Sequence, residues 1–221
     1  MLFRSISGGL STSGKVLEWY ARTAGFPEDE ESGARKVFRA AETSIPGARD
    51  LLFLPFLAGE RAPLWRRDLR GAFLGLSVDH GPGDLARAVA ESIGFGLRLT
   101  SQGLAELGHG MRLIRVSGTP ARNAFLSRLK ADILGLPVEV PELPDCELSG
   151  NAAACAAALG DCGSLAEAAA RLVRVEARFE PDPRLRRDYD RLYGIFADAV
   201  AAFIPFSERL VSKSRDSASD G

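Results

Sequence analysis

From Leu113 to Val140 the chain reads as strand, glycine turn, helix, strand, and this run constrains the fold more than any other stretch. Leu113 to Val116 has strand character and Gly118-Thr119-Pro120 is a turn. Phe125 to Leu134 then carries helical spacing as far as Gly135, and Val138 to Val140 is a second short strand. Two strands joined through a helix must pair in parallel with a right-handed crossover. The expected class is α/β, and an all-helical bundle is the weaker alternative.

The flanking sequence supplies the other layers. Leu51 to Leu57 and Gly71 to Val78 read as two strands around one polar loop, Ala58-Gly59-Glu60-Arg61-Ala62-Pro63. Lys15 to Ala24 is a helix stopped by Gly25 and Pro27, and a short helix is expected at Ala34 to Ala41 in an otherwise charged surface excursion. From Asp84 to Leu107 apolar residues recur mostly every four positions, with Asp84 available as an N-cap. Leu148 to Leu159 and Leu165 to Val173 are alanine-rich helices. A last helix is expected from about Arg184 to Phe203, with Pro205 ending the regular structure. One domain over residues 1–206 and a disordered tail over 207–221 are the expected organisation.

Composition removes several functional classes. Lys+Arg 28 against Asp+Glu 29 leaves no charge excess to favour nucleic acid or an acidic membrane surface. Apolar runs such as Leu51 to Ala58 fall far short of the roughly 20 residues that span a bilayer. No secretory signal pattern follows Arg4, so the cytoplasm is the expected compartment. Cys146, Cys155 and Cys162 show no metal spacing and read as small buried hydrophobes, and His80 and His109 stand beside glycines in turns. Neither a Gly-x-Ser-x-Gly elbow nor a Gly-x-Gly-x-x-Gly fingerprint after a strand is present, which removes hydrolase and dehydrogenase readings.

Two places admit a ligand. At Gly118 the backbone can approach a base or phosphate with no Cβ in the way, and the helix that follows offers unpaired N–H groups. The same residues also fit an ordinary strand-to-helix turn with Asn123 as N-cap. Gly14 and Glu18 are four residues apart on one helix face, where a nucleoside fits beside the glycine. Close packing at Gly14 with a solvated Glu18 is the alternative there.

A resemblance shifts these weights. Leu54-Pro55-Phe56-Leu57-Ala58-Gly59-Glu60-Arg61-Ala62-Pro63-Leu64-Trp65 and Arg70-Gly71-Ala72-Phe73-Leu74-Gly75-Leu76 resemble consecutive C-terminal-domain motifs of the FGGY carbohydrate kinase family. Arg87 to Arg98 is similar to that family's long helix, Lys130 to Val138 to its helix-to-strand passage, and Glu147 to Ala153 to its glycine–alanine helix start. The similarity runs from about Ser7 to Phe203, and the motif forms resemble the gluconate and xylulose branches more than the glycerol branch.

The resemblance implies a ribonuclease H-like, actin-type ATPase fold with a mixed sheet flanked by helices. It implies binding of ATP with magnesium between two such domains, and transfer of the γ-phosphoryl group to a sugar, polyol or sugar acid. Carried over residue by residue, the nucleotide-binding positions are Gly14, Glu18, Gly118, Thr119 and Asn123, with no catalytic and no metal-binding residue in this chain. The family's paired glycines stand here as Gly118-Thr119 followed by Pro120. At a positive φ a β-branched Thr119 costs on the order of 1–3 kcal/mol, which lowers the expected affinity for ATP.

The family's Asp-x-Gly-Thr turn, catalytic aspartate and Gly-Thr-Ser-Gly segment would all precede Met1, so the expected role is half of a kinase that needs an N-terminal domain as partner. A non-catalytic nucleotide-binding or interaction module on the same scaffold is the alternative. The first strands of the domain's own sheet would also precede Met1, leaving an uncovered edge. Homodimerisation or aggregation through that edge is expected: sedimentation at tens of micromolar should show a species larger than a monomer, and a strictly monomeric chain would refute it.

Overall fold

The computed structural model describes residues 9–216 apart from 12, 28–30, 119–122 and 144. These divide into two compact units, Met1–Gly110 with Arg184–Gly221, and Met111–Pro183. In the first unit, helices α1 (Gly14–Thr23) and α2 (Gly33–Glu42) precede strands β1 (Leu52–Leu54) and β2 (Ala72–Leu74). Helix α3 (Pro82–Glu106) follows, and α7 (Arg186–Asp216) closes the chain. The second unit holds β3 (Ile114–Arg115), α4 (Ala124–Leu134), β4 (Val138–Pro141), α5 (Cys146–Leu159), α6 (Leu165–Leu172) and β5 (Val175–Phe179).

The core of the first unit forms where α3 meets α7 and β1. Residues 86–96 of α3 are buried on every side, which explains the small residues Ala86, Ala88, Ala90, Gly94 and Gly96 among its apolar ones. Phe95 stacks on Phe196 with ring centroids 5.4 Å apart and meets Tyr189 edge-on at 6.2 Å. Strand β1 is fully buried and pairs antiparallel with β2, placing Phe53 opposite Phe73. The two strands flank the polar loop that the sequence places between them.

Helix boundaries follow local chemistry. Gly81, rather than Asp84, is the N-cap of α3, and Asp84 closes the first turn from inside by accepting the Gly81 N–H at 2.9 Å. Helix α7 does not stop at Pro205, and residues 207–216 are helical where a tail is expected. Pro205 and Ala201 both lie on the exposed side, so the carbonyl that the proline leaves unpaired faces solvent. Beyond it the helix is anchored: Ser207 is fully buried and its hydroxyl accepts the Arg70 N–H at 3.3 Å, while Glu208 pairs with Arg66.

Ahead of β1 the backbone makes an unusual turn. Gly47 is followed by three non-glycine residues in the left-handed region, Ala48 (φ 50), Arg49 (φ 55) and Asp50 (φ 68). Each such residue costs roughly 1–2 kcal/mol, somewhat less for Asp. Tertiary contacts hold the turn: Gly47 N–H donates to buried Glu91 at 2.9 Å, and Asp50 pairs with Arg191.

In the second unit β3 pairs in parallel with β4 through α4, as the crossover argument requires, and β5 adds antiparallel on the far side to give the order β3-β4-β5. Val116, Ala131, Val138 and Val140 form its core, with Ile114, Ala177 and Phe179 packed around them. Strand β5 escapes the sequence reading because Val175-Glu176-Ala177-Arg178-Phe179 is short and largely exposed. The cysteines are not buried hydrophobes: Cys146 and Cys155 lie on α5, where Ala153 is the one buried residue, and are exposed, and Cys162 beyond the helix is half-buried. Glu139 clamps the sheet, accepting from Arg115 Nη2 at 2.6 Å and from Arg178 Nη1 at 3.0 Å.

Two outcomes follow from this packing. Replacing Arg49 (φ 55) with glycine relieves strain and gives up only a 3.4 Å contact between an exposed guanidinium and Asp84. Arg49→Gly should therefore stabilise the chain by about 1 kcal/mol, a rise in Tm of roughly 2–4 °C; an unchanged or lower Tm would show that the turn is unstrained. The Arg115 hydrogen bonds, followed by the charges of Arg115 and Arg178, outweigh burial and hold the Glu139 carboxyl below the usual carboxylate range. A depressed folded-state value means this stability is present above the unfolded value of about 4.3 and lost as pH falls through the folded one. The Tm gap between wild type and Glu139→Gln should be full near neutrality and close below about pH 4. A gap that persists unchanged in acid would refute the assignment.

Candidate functional site

The first group of candidate residues lies on α1. Gly14 opens the helix and is exposed, and among the described residues nothing lies within 4 Å of the position a Cβ would take. Val16, Leu17, Tyr20 and Ala21 are buried and anchor the opposite face, while Trp19 stacks on Phe53 at 5.7 Å. Glu18 is exposed and is not simply solvated: its Oε1 accepts the Ala34 N–H at the start of α2 at 3.1 Å.

The second group lies in the other unit, where β3 runs through buried Val116 to Gly118. Gly118 has φ +77, so the bend needs a glycine there. Asn123 is the N-cap of α4, its side-chain oxygen accepting the Leu126 N–H at 2.8 Å. Capping engages the amide oxygen and leaves the role of donor to Nδ2. Thr119, the remaining member of the expected set, lies outside the described residues, as do Pro120, Ala121 and Arg122. Gly14 and Glu18 thus sit together in the first unit, and Gly118 and Asn123 together in the second.

Sequence reasoning missed three polar groups that the fold draws inward. Glu60 is buried in the loop after β1, where its Oε1 accepts the Ser11 N–H at 2.9 Å and the Arg61 N–H at 2.7 Å. Ser127 and Lys130, one turn apart on α4, are both buried, and burial lowers the Lys130 ammonium from its ordinary value. The sequence of α4 carries no signal for this burial, since Ser127, Arg128, Lys130 and Asp132 read as an ordinary polar side, whereas only Ala124 and Arg128 are fully exposed.

A cavity of about 120 Å³ lies in the second unit, lined by Arg115, Pro141, Cys146, Ser149, Ala153 and Leu172 among others. It is smaller than the roughly 300 Å³ at which small-molecule sites begin. The histidines are structural or exposed: His80 Nδ1 takes the Ser77 N–H at 2.9 Å, and its Nε2 lies 3.2 Å from the Arg49 carbonyl oxygen. No described helix is long and apolar enough to cross a membrane.

Comparison with known proteins agrees with the motifs. Residues 3–159 match the model of the FGGY family of carbohydrate kinases, C-terminal domain. A glycerol kinase of Gloeobacter violaceus is 35% identical over 164 residues, which is 74% of this chain and 32% of that protein. Among solved structures, ligand-bound xylulose kinase from Lactobacillus acidophilus superposes with a TM-score of 0.81 at 26% identity, covering 92% of this chain and 40% of the kinase. Gluconate kinase from the same organism gives 0.78 at 28% identity, covering 89% and 39%. The chain spans about a third of the length of the curated glycerol kinase it matches. With its motifs in family order, its actin-type fold shared with these kinases and its family match over most of its length, the chain belongs to the FGGY family of carbohydrate kinases and carries the C-terminal domain.

Proposed function

We propose that this chain is the nucleotide-binding half of an ATP-dependent kinase that phosphorylates a sugar, polyol or sugar acid. The observation that carries the reading is the bend at Gly118. By resemblance it matches the family's adenine-receiving turn; its φ of +77 requires glycine, and Asn123 caps the start of α4 that follows. Backbone without a Cβ, followed by a helix N-terminus, suits the flat face of a purine. Gly14 and Glu18 on α1, with Gly118, Thr119 and Asn123 before α4, are the proposed nucleotide contacts.

Phosphoryl transfer is carried by positioning and by charge stabilisation, with a base near the attacking hydroxyl. In this reading the residues here hold and orient ATP, and magnesium enters on its phosphates. The catalytic base and the sugar contacts come from an N-terminal kinase domain that these 221 residues do not include. Turnover is therefore assigned to the assembled pair of domains, and the relatives' three names, glycerol, xylulose and gluconate kinase, leave the acceptor at the level of a carbohydrate hydroxyl.

Calorimetric titration with ADP tests the reading. The wild type should bind, and Thr119→Gly should bind about tenfold more tightly, because glycine removes the Cβ from the position where the family has its second glycine. Equal affinities would make the turn merely structural, and absence of binding by both proteins would overturn the nucleotide-binding role.

A further inference from the structure

Helix α2 begins without a cap of its own. Ser32 stands at the N-cap position and makes no side-chain cap hydrogen bond. The first-turn N–H of Ala34 is instead taken by Glu18 Oε1, sixteen residues earlier on α1, at 3.1 Å. The approach is possible because residue 33 is glycine. A Cβ there would lie 2.5 Å from Glu18 Oε2 and 2.7 Å from the Ala21 Cβ. The first atom ends a flexible side chain and would swing away; the second is fixed to the buried face of α1 and would push the two helices apart.

We propose that Gly33 and Ala34 are positioning residues for the nucleotide-binding wall: they fix the Glu18 carboxylate in one orientation on the face of α1 that begins with Gly14. This rests on the nucleotide-binding reading above. An exposed glutamate samples many rotamers, and a ligand that needs one of them must pay the ordering entropy on binding. Here the cap bond orders the side chain beforehand, and a carboxylate has lone pairs beyond the one this bond uses.

The test is ADP calorimetry on the full chain with Glu18→Ala, Glu18→Gln, Ala34→Pro and the double variant Glu18→Ala/Ala34→Pro. Proline is tolerated in the first turn of a helix and removes the N–H that Glu18 accepts, at the cost of some restriction on the Gly33 backbone. Glu18→Ala and Ala34→Pro should each weaken ADP binding by about tenfold, and the double variant should be no weaker than either. Glu18→Gln, whose amide oxygen accepts the same N–H, should stay within about threefold of wild type. Wild-type affinity in Ala34→Pro would overturn the proposal. So would unchanged affinity in Glu18→Ala, while leaving the nucleotide reading in place; a wild type that does not bind ADP would remove both. Should circular dichroism show Ala34→Pro unfolded, the glutamine variant decides, and a loss equal to that of Glu18→Ala overturns the proposal.

Discussion

The first unit is organised around one buried carboxylate. Glu91 is wholly inaccessible, and its Oε1 accepts from Arg87 Nε at 2.8 Å, the Gly47 N–H at 2.9 Å and the Tyr189 hydroxyl at 2.8 Å. These donors come from α3, from the left-handed turn before β1 and from α7, three segments far apart in the chain. Burial pushes the Glu91 carboxyl up, and the Arg87 charge and the three hydrogen bonds oppose that push. Removing one member of such a buried pair typically costs about 3–5 kcal/mol, since the other is left uncompensated. The strained turn at Ala48 to Asp50 is tolerated because this network overdetermines it, and β1 and the loop after it inherit their position from the turn.

The same logic of local donors and acceptors sets the candidate site. In the first unit Glu18 ties α2 to α1, and in the second Asn123 caps α4 directly after the glycine bend. Both residues therefore have a structural task, and both retain capacity toward a ligand, since a carboxylate has further lone pairs and an amide has a donor nitrogen. A residue that caps a helix is held more rigidly than a free surface side chain. Binding groups built this way cost less to order.

Much of this was legible in the sequence, for identifiable reasons. The parallel β3-α4-β4 unit was readable because its period changes from strand to helix and back across glycine turns at Gly118 and Gly135. The long α3 was readable from its spacing, although its cap was displaced to Gly81 by the way Asp84 folds back on the chain. Strand β5 was not, because a five-residue, half-exposed strand has too little apolar pattern. The persistence of α7 through Pro205 was not either, because it depends on Ser207 and Glu208 meeting Arg70 and Arg66, contacts more than 130 residues apart in sequence. Gly14, Glu18, Gly118 and Asn123 were proposed from the family resemblance, whereas the capping role of Glu18 required coordinates, since Gly33 and Ala34 look like ordinary helix residues.

The proposed function rests on one claim, that the chain receives a nucleotide at the glycine bend and at the start of α1. Amide hydrogen exchange on the chain with and without saturating ADP is the most direct measurement of that claim. Slowed exchange at residues 14–18 and at 118–126, with the α5 segment 146–159 unchanged, is the predicted result. Protection confined to other segments, or none at all under saturating ADP, would contradict it.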